Sequence, residues 1–107
     1  MTWLDTLYKL ADLKPNWGGE GEAPITDSAI SNAMRLLYQL SAKGVRRPDI
    51  YPMRDGGVQL EWQYADSYLE VTCHDDYHYF LSLPGEEDGG LTTTPVDTVI
   101  NCLMSFA

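Results

Sequence analysis

Between Ile50 and Leu83 the apolar residues of this 107-residue chain fall at every second position, whereas on either side they recur every third or fourth. A period of two places side chains alternately on the two faces of a strand, and a period near 3.6 gathers them on one stripe of a helix. The order this predicts is helix, helix, a run of strands, helix. Strands grouped between helices point to an α+β domain in which the helices cover one face of an antiparallel sheet. At this length one domain spanning residues 1–107 is expected.

The helical segments carry their own boundaries. Thr2 is placed to N-cap a helix running to Leu13, with Asp5 at the third position and Pro15 beyond its end. Thr26 begins a second helix, whose Ile30, Ala33, Met34, Leu37 and Leu40 form a stripe and which stops at Gly44. Thr94-Pro95-Val96-Asp97 reads as a cap, a first-turn proline and an acidic third residue, opening a last helix that buries Val96, Val99, Ile100 and Leu103.

The alternation predicts a four-stranded meander. Ile50 to Arg54 is a short strand marked as an edge by Pro52. Asp55-Gly56 reads as a tight hairpin turn, which would pair Tyr51 with Leu60 and Met53 with Val58. Val58, Leu60, Trp62 and Tyr64 then point inward, as do Leu69, Val71 and Cys73 on the next strand. Tyr77, Tyr79, Leu81 and Leu83 point inward on the fourth. Pro84 to Thr93 reads as an acidic, glycine-containing loop.

Charge divides the chain sharply. Every Lys and Arg lies at or before Arg54. The first 54 residues hold seven bases and six acids, and the remainder holds ten carboxylates and no base, giving the net −9. A one-signed field of this kind attracts basic partners and repels nucleic acid and anionic lipid. The apolar fraction of 44% and the three Trp, seven Tyr and two Phe belong to a packed core, not to an acidic disordered tail. The bases Arg35, Lys43, Arg46, Arg47 and Arg54 read as neutralising charges around the end of the second helix.

Motifs that would carry chemistry are weak. Gly18-Gly19-Glu20-Gly21-Glu22 lacks the Lys-Ser or Lys-Thr of a phosphate loop, and its carboxylates oppose phosphate. It reads as a tight loop under Trp17. Cys73-His74-Asp75-Asp76-Tyr77-His78 contains metal-ligand types, but Cys73 and His74 diverge on a strand, so no metal or cofactor is expected. No serine or cysteine sits in a nucleophile elbow, and no enzyme activity is expected. The two cysteines read as free, half-buried thiols of a reducing cytoplasm. Neither a secretion signal nor a membrane span is recognisable.

What remains is the outward sheet face, where Glu61 and Glu70 sit among Tyr68 and Phe80, with Asp75, Asp76, Glu86, Glu87 and Asp88 adding acidic reach. Carboxylates among exposed aromatics suit protein recognition. The expected partner is a basic protein surface, such as that of a nucleic-acid-binding protein or complex. Self-association through the sheet is the alternative, and a small hydrolase or metal protein using the His74–His78 turn is a third.

Two segments resemble a family of small uncharacterised bacterial and mobile-element proteins. Asn16-Trp17-Gly18-Gly19-Glu20-Gly21-Glu22-Ala23-Pro24 is similar to that family's Trp-Asp-Gly-x-Gly-Ala-Pro opening. Asp55-Gly56-Gly57-Val58-Gln59-Leu60-Glu61-Trp62 is similar to its Asp-Gly-Gly-hydrophobic-x-Leu-Glu-Trp hairpin. The resemblance covers roughly Leu13 to Val71. Gly19 and Glu22 depart from the commonest form, and the acidic C-terminal part has no counterpart. The resemblance implies an α+β architecture and a prokaryotic or phage source, and it supplies no catalytic residue. Size and charge alone make the chain comparable with phage anti-defence proteins such as anti-CRISPR proteins, or with antitoxins.

Overall fold

The computed structural model describes residues 2–106. Helices α1 (Trp3–Ala11) and α2 (Asp27–Ala42) precede strands β1 (Asp49–Pro52), β2 (Val58–Tyr64), β3 (Ser67–Cys73), β4 (Tyr77–Leu83) and β5 (Glu86–Thr92), and α3 (Pro95–Met104) follows. The strands form one antiparallel sheet in the order β1-β2-β3-β4-β5. The α+β class is therefore as the sequence predicts, with five strands and not four.

The fifth strand is the segment read as a loop. Its sequence, Glu-Glu-Asp-Gly-Gly-Leu-Thr, has neither alternation nor β propensity, and pairing to β4 imposes the conformation instead. A tight turn at Pro84-Gly85, with Gly85 at φ 77, delivers the chain straight back along β4.

The first hairpin also differs from expectation by one residue. Ile50 pairs with Leu60, Tyr51 with Gln59 and Pro52 with Val58. The Met53 N–H donates to the Gly57 carbonyl (2.9 Å) and the Gly56 N–H to the Met53 carbonyl (3.0 Å), so the loop is Arg54-Asp55-Gly56. Gly56, at φ 97, supplies the left-handed residue of a three-residue hairpin in place of a two-residue turn.

Local chemistry explains the helix ends. Thr2 and Asp5 form a reciprocal capping box, each backbone N–H donating to the other's side chain at 3.1 and 3.2 Å. Thr26 Oγ1 accepts from the Ala29 N–H at 3.1 Å. At the end of α2 the Val45 N–H donates to Leu40 and the Gly44 N–H to Ser41, a Schellman motif around Gly44 at φ 74. The side chain of Thr94 makes no capping bond.

The core lies between the helices and the inner sheet face. Val58, Leu60, Trp62, Leu69, Val71 and Cys73 are fully buried, together with Leu7, Leu36, Leu40 and Val99. Trp62 donates its indole N–H to the Arg46 carbonyl at 2.8 Å, so the largest buried side chain leaves no orphan donor. On α2 the buried stripe includes Ala29, Ala33 and Leu36, while Ile30 and Met34 are only partly covered. The two alanines let the helix approach the sheet closely, which rotates the expected stripe. Tyr64 lies on the inner side of β2, but it is exposed where the strand turns into β3.

The last turn of α2 holds no base, but Lys43 is its C-cap, Arg46 and Arg47 share a hollow with Leu37, Leu40 and Ser41 at its end, and Arg54 pairs with Glu20. Arg46 donates to the Gln63 carbonyl (3.1 Å), Arg47 to Thr6 Oγ1 (3.1 Å) and Arg54 to the Glu20 carbonyl (3.4 Å). They fasten loops to the sheet and to α1.

Candidate functional site

The outer sheet face is built by register. Asp49, Glu61, Glu70, Phe80 and Gly89 lie in one cross-strand row, each paired with the next. The row beside it runs Tyr51, Gln59, Thr72, His78 and Leu91, and on the other side lie Gln63, Tyr68, Ser82 and Glu87. Among the described residues no helix covers this face: Phe80, Tyr51 and Leu91 are 39%, 46% and 59% exposed.

Like charges directly opposite each other on neighbouring strands repel. Here Glu61 faces both Asp49 and Glu70. Two neutral donors hold the carboxylates in place: Tyr68 Oη donates to Glu70 at 2.9 Å, and the Gln59 amide donates to Glu61. Burial first, and then the bond and charge of Glu70, push the Tyr68 phenol well above its ordinary value, so it stays a donor throughout the physiological range. Arg46 and Arg47 line one hollow with Asp49, Glu61 and Gln63, so bases flank the β1 end of this row, while the ion pairs Arg54–Glu20 and His74–Asp55 lie away from it.

The residues singled out from the sequence separate into three places. Glu61, Glu70, Tyr68, Phe80 and Glu87 share the outer face. Glu86 and Asp88 pair with Leu83 and Leu81, so they lie on the helix side of β5, where the Asp88 carboxylate accepts from Tyr79 Oη at 3.1 Å. Asp75 and Asp76 are exposed in the β3–β4 turn, at the end of the sheet. Asn32 of α2 ties that turn down by donating to the His74 carbonyl at 2.7 Å.

Two arrangements escaped the sequence reading. The first is the glycine loop, which wraps the carboxylate of its own Glu22. Glu22 Oε1 accepts from the Gly18 and Glu20 amides at 3.1 and 3.0 Å, and the residue is 7% exposed. These bonds, that from Glu20 foremost, lower the Glu22 pKa. The backbone donors a phosphate would need are thus taken by an internal anion. Trp17 closes the loop by donating to the Ala23 carbonyl at 2.8 Å. The loop also docks on the first hairpin, since the Ala23 N–H donates to Arg54 and the Thr26 N–H to Gly56, both at 2.9 Å.

The second arrangement pairs His74 Nε2 with Asp55 Oδ2 at 2.9 Å, across 19 positions of sequence. A carboxylate orienting an imidazole is half of a nucleophilic triad. The adjacent Cys73 cannot complete it, because it faces the core, fully buried, with its thiol pushed up to about 12 by burial. Both cysteines are free and buried, not half-buried. Among the described residues no group of three or more His, Cys, Asp or Glu converges as a metal site, and no helix is long and apolar enough to cross a membrane.

No protein-family model matches the chain, and neither the curated proteins nor the solved structures contain a match.

Proposed function

We propose that this protein is a non-enzymatic acidic binding protein that occupies a basic surface of a nucleic-acid-handling protein in a bacterial or phage-infected cell. The observation carrying this reading is the row Asp49-Glu61-Glu70, three carboxylates in cross-strand register on an uncovered face, ending at the exposed Phe80. Like charges in adjacent register repel, and Arg46 and Arg47, which line one hollow with Asp49 and Glu61, offset part of that repulsion at the β1 end. A partner bearing Lys or Arg turns the repulsion into attraction, and Phe80 and Tyr51 add area that loses water on contact. Strands rise about 3.3 Å per residue and lie about 4.8 Å apart, so the carboxylates present a spaced anionic array against which a phosphate-binding groove can dock. The mechanism is competition: the protein takes the place of nucleic acid, as anti-CRISPR-like or antitoxin-like inhibitors do by class analogy. The family resemblance in the glycine loop and hairpin agrees with such a source.

The test compares immobilised wild-type protein with the Glu61→Lys/Glu70→Lys variant, exposed to bacterial extract at low and high salt and read by mass spectrometry. The reading requires basic nucleic-acid-binding proteins on the wild type at low salt, their loss on the variant, and their release by added DNA or RNA. Equal retention by both forms would sink it.

A further inference from the structure

Strand β5 is an exposed edge guarded by its own acids: Glu86 and Asp88 lie on its inner side, and Asp88 Oδ1 accepts the Gly89 N–H at 2.8 Å. Every residue from Glu86 to Leu91 is exposed, and among the described residues no strand pairs with its outer side. Its register against β4 is unbroken from Leu83–Glu86 to Tyr77–Thr92, with no bulge to twist it away. The opposite edge, β1, is only four residues long and ends in Pro52, as edges that must not pair usually do. β5 is seven residues long and contains no proline and no lysine. A free strand edge offers a row of backbone donors and acceptors to an incoming strand.

We infer that β5 receives an extended, Lys/Arg-bearing segment of the partner protein as a sixth, antiparallel strand of the sheet. This deepens the acidic-binder reading and rests on it. The side chains of β5 choose the occupant. Glu86, Glu87 and Asp88 are consecutive and so line both faces of the edge, which matches a run of three bases and disfavours an acidic or a self-derived strand bringing its own charge. Gly89 and Gly90 leave room. Gly89 must lack a side chain, because a Cβ there would lie 2.7 Å from the Tyr79 carbonyl, and Gly90 sits at φ 152. An aromatic residue opposite Gly89 would lie over the glycine, from the side opposite Phe80. Leu91, 59% exposed, suits an apolar neighbour. Read antiparallel from Thr92 to Glu86, the complementary strand is polar, apolar, polar, aromatic, then three bases.

The probe is the peptide Thr-Val-Thr-Tyr-Lys-Arg-Lys, capped at both ends. Two derivatives carry N-methyl groups on one or the other set of alternate amides. Only one set faces the edge in a strand, so one derivative should bind at least about tenfold more weakly while the other matches the parent. Amide exchange of β5 should slow when the parent binds. If both derivatives bind like the parent, with shifts centred on Glu61 and Glu70, strand addition is overturned and the acidic-binder reading stands. If no peptide binds even at low salt, both fail. Slow exchange of the β5 edge in the protein alone, rising with its concentration, would make the occupant a second copy and would also overturn the inference.

Discussion

Glu61 and Glu70 stand directly opposite each other on β2 and β3, in the middle of the uncovered sheet face, with Arg46 and Arg47 in the hollow that Glu61 shares with Asp49. Their repulsion is a stability cost kept at the proposed binding surface. Glu70→Lys converts the pair into an opposite-charge pair at the position that does not line the hollow of Arg46 and Arg47. The expected result is a fold more stable by about 0.5–1 kcal/mol at low salt, an advantage that shrinks as salt is added. Denaturant midpoints of wild type and variant measure it. Under the proposed function the same substitution weakens partner binding, so stability and binding move in opposite directions. A destabilised variant would show that the row serves the fold.

The imidazole of His74 lies over Gly57, its cross-strand neighbour, and a Cβ on Gly57 would come within 2.4 Å of Nε2. Gly57→Ala must therefore push the ring off Asp55, at a cost of about 1–2 kcal/mol. With His74 already replaced by Ala the same change should be nearly free, and a double-mutant cycle measures that coupling. The bond from His74 is the largest cause of the lowered Asp55 pKa, ahead of that from the Gly57 N–H. A lowered carboxylate stabilises the fold above its ordinary value of 3.8. That stabilisation is lost as pH falls through the depressed folded value. In His74→Ala the Asp55 carboxyl resonance should titrate closer to the ordinary value. An unchanged titration would mean that the pair does not persist in solution.

The alternating strands β2, β3 and β4 and both capped N-terminal helices were legible because their signals are local: a period of two, Thr2 with Asp5, Thr26, Gly44. β5 was not, because Glu86 to Thr92 has no pattern of its own and takes its conformation from β4. The hairpin register turned on whether Gly56 or the pair Asp55-Gly56 makes the turn, a one-residue choice that composition does not decide. The outer-face cluster of Glu61, Tyr68, Glu70 and Phe80 followed from alternation alone. Asp49 was overlooked because its place in the row depends on that register. The Asp55–His74 contact could not be read, since it joins two loops only after three strands have paired. The carboxylate of Glu22 looked like an obstacle to anion binding in the glycine loop and proved to be the anion.

Cys73 and Cys102 should be silent toward thiol reagents in the native state. Burial raises both thiols, Cys73 to about 12, so almost none of it is thiolate at neutral pH. A chromogenic disulfide should titrate neither cysteine until denaturant unfolds the chain, and its rate should then follow global unfolding. Rapid labelling of Cys102 alone would reveal that α3 opens independently of the sheet.

The Glu22 loop makes the sharpest acid-sensitive prediction. Amides of Glu20, of Glu22 itself and of Gly18 hold its carboxyl below the ordinary value of 4.5. A carboxylate stabilised in this way supports the fold above that value, and its support disappears as pH drops through the lowered folded pKa. A Cβ on Gly18 would collide with Glu22 Oε2, the movable end of a side chain. Gly18→Ala should eject the carboxylate, speed exchange of the Glu20 amide and return the Glu22 pKa upward. Glu22→Gln keeps one acceptor oxygen, so it should retain most of the protection of Gly18 and Glu20 while losing the pH dependence. Glu22→Ala should lose both, and the loosened loop should also free the Ala23 and Thr26 amides that bind the Arg54 and Gly56 carbonyls. Exchange rates at these four amides, followed across the acid range in the three variants, separate a charged keystone from a neutral one. Equal protection in Glu22→Ala and wild type would show that the glycine turns hold their shape without the carboxylate.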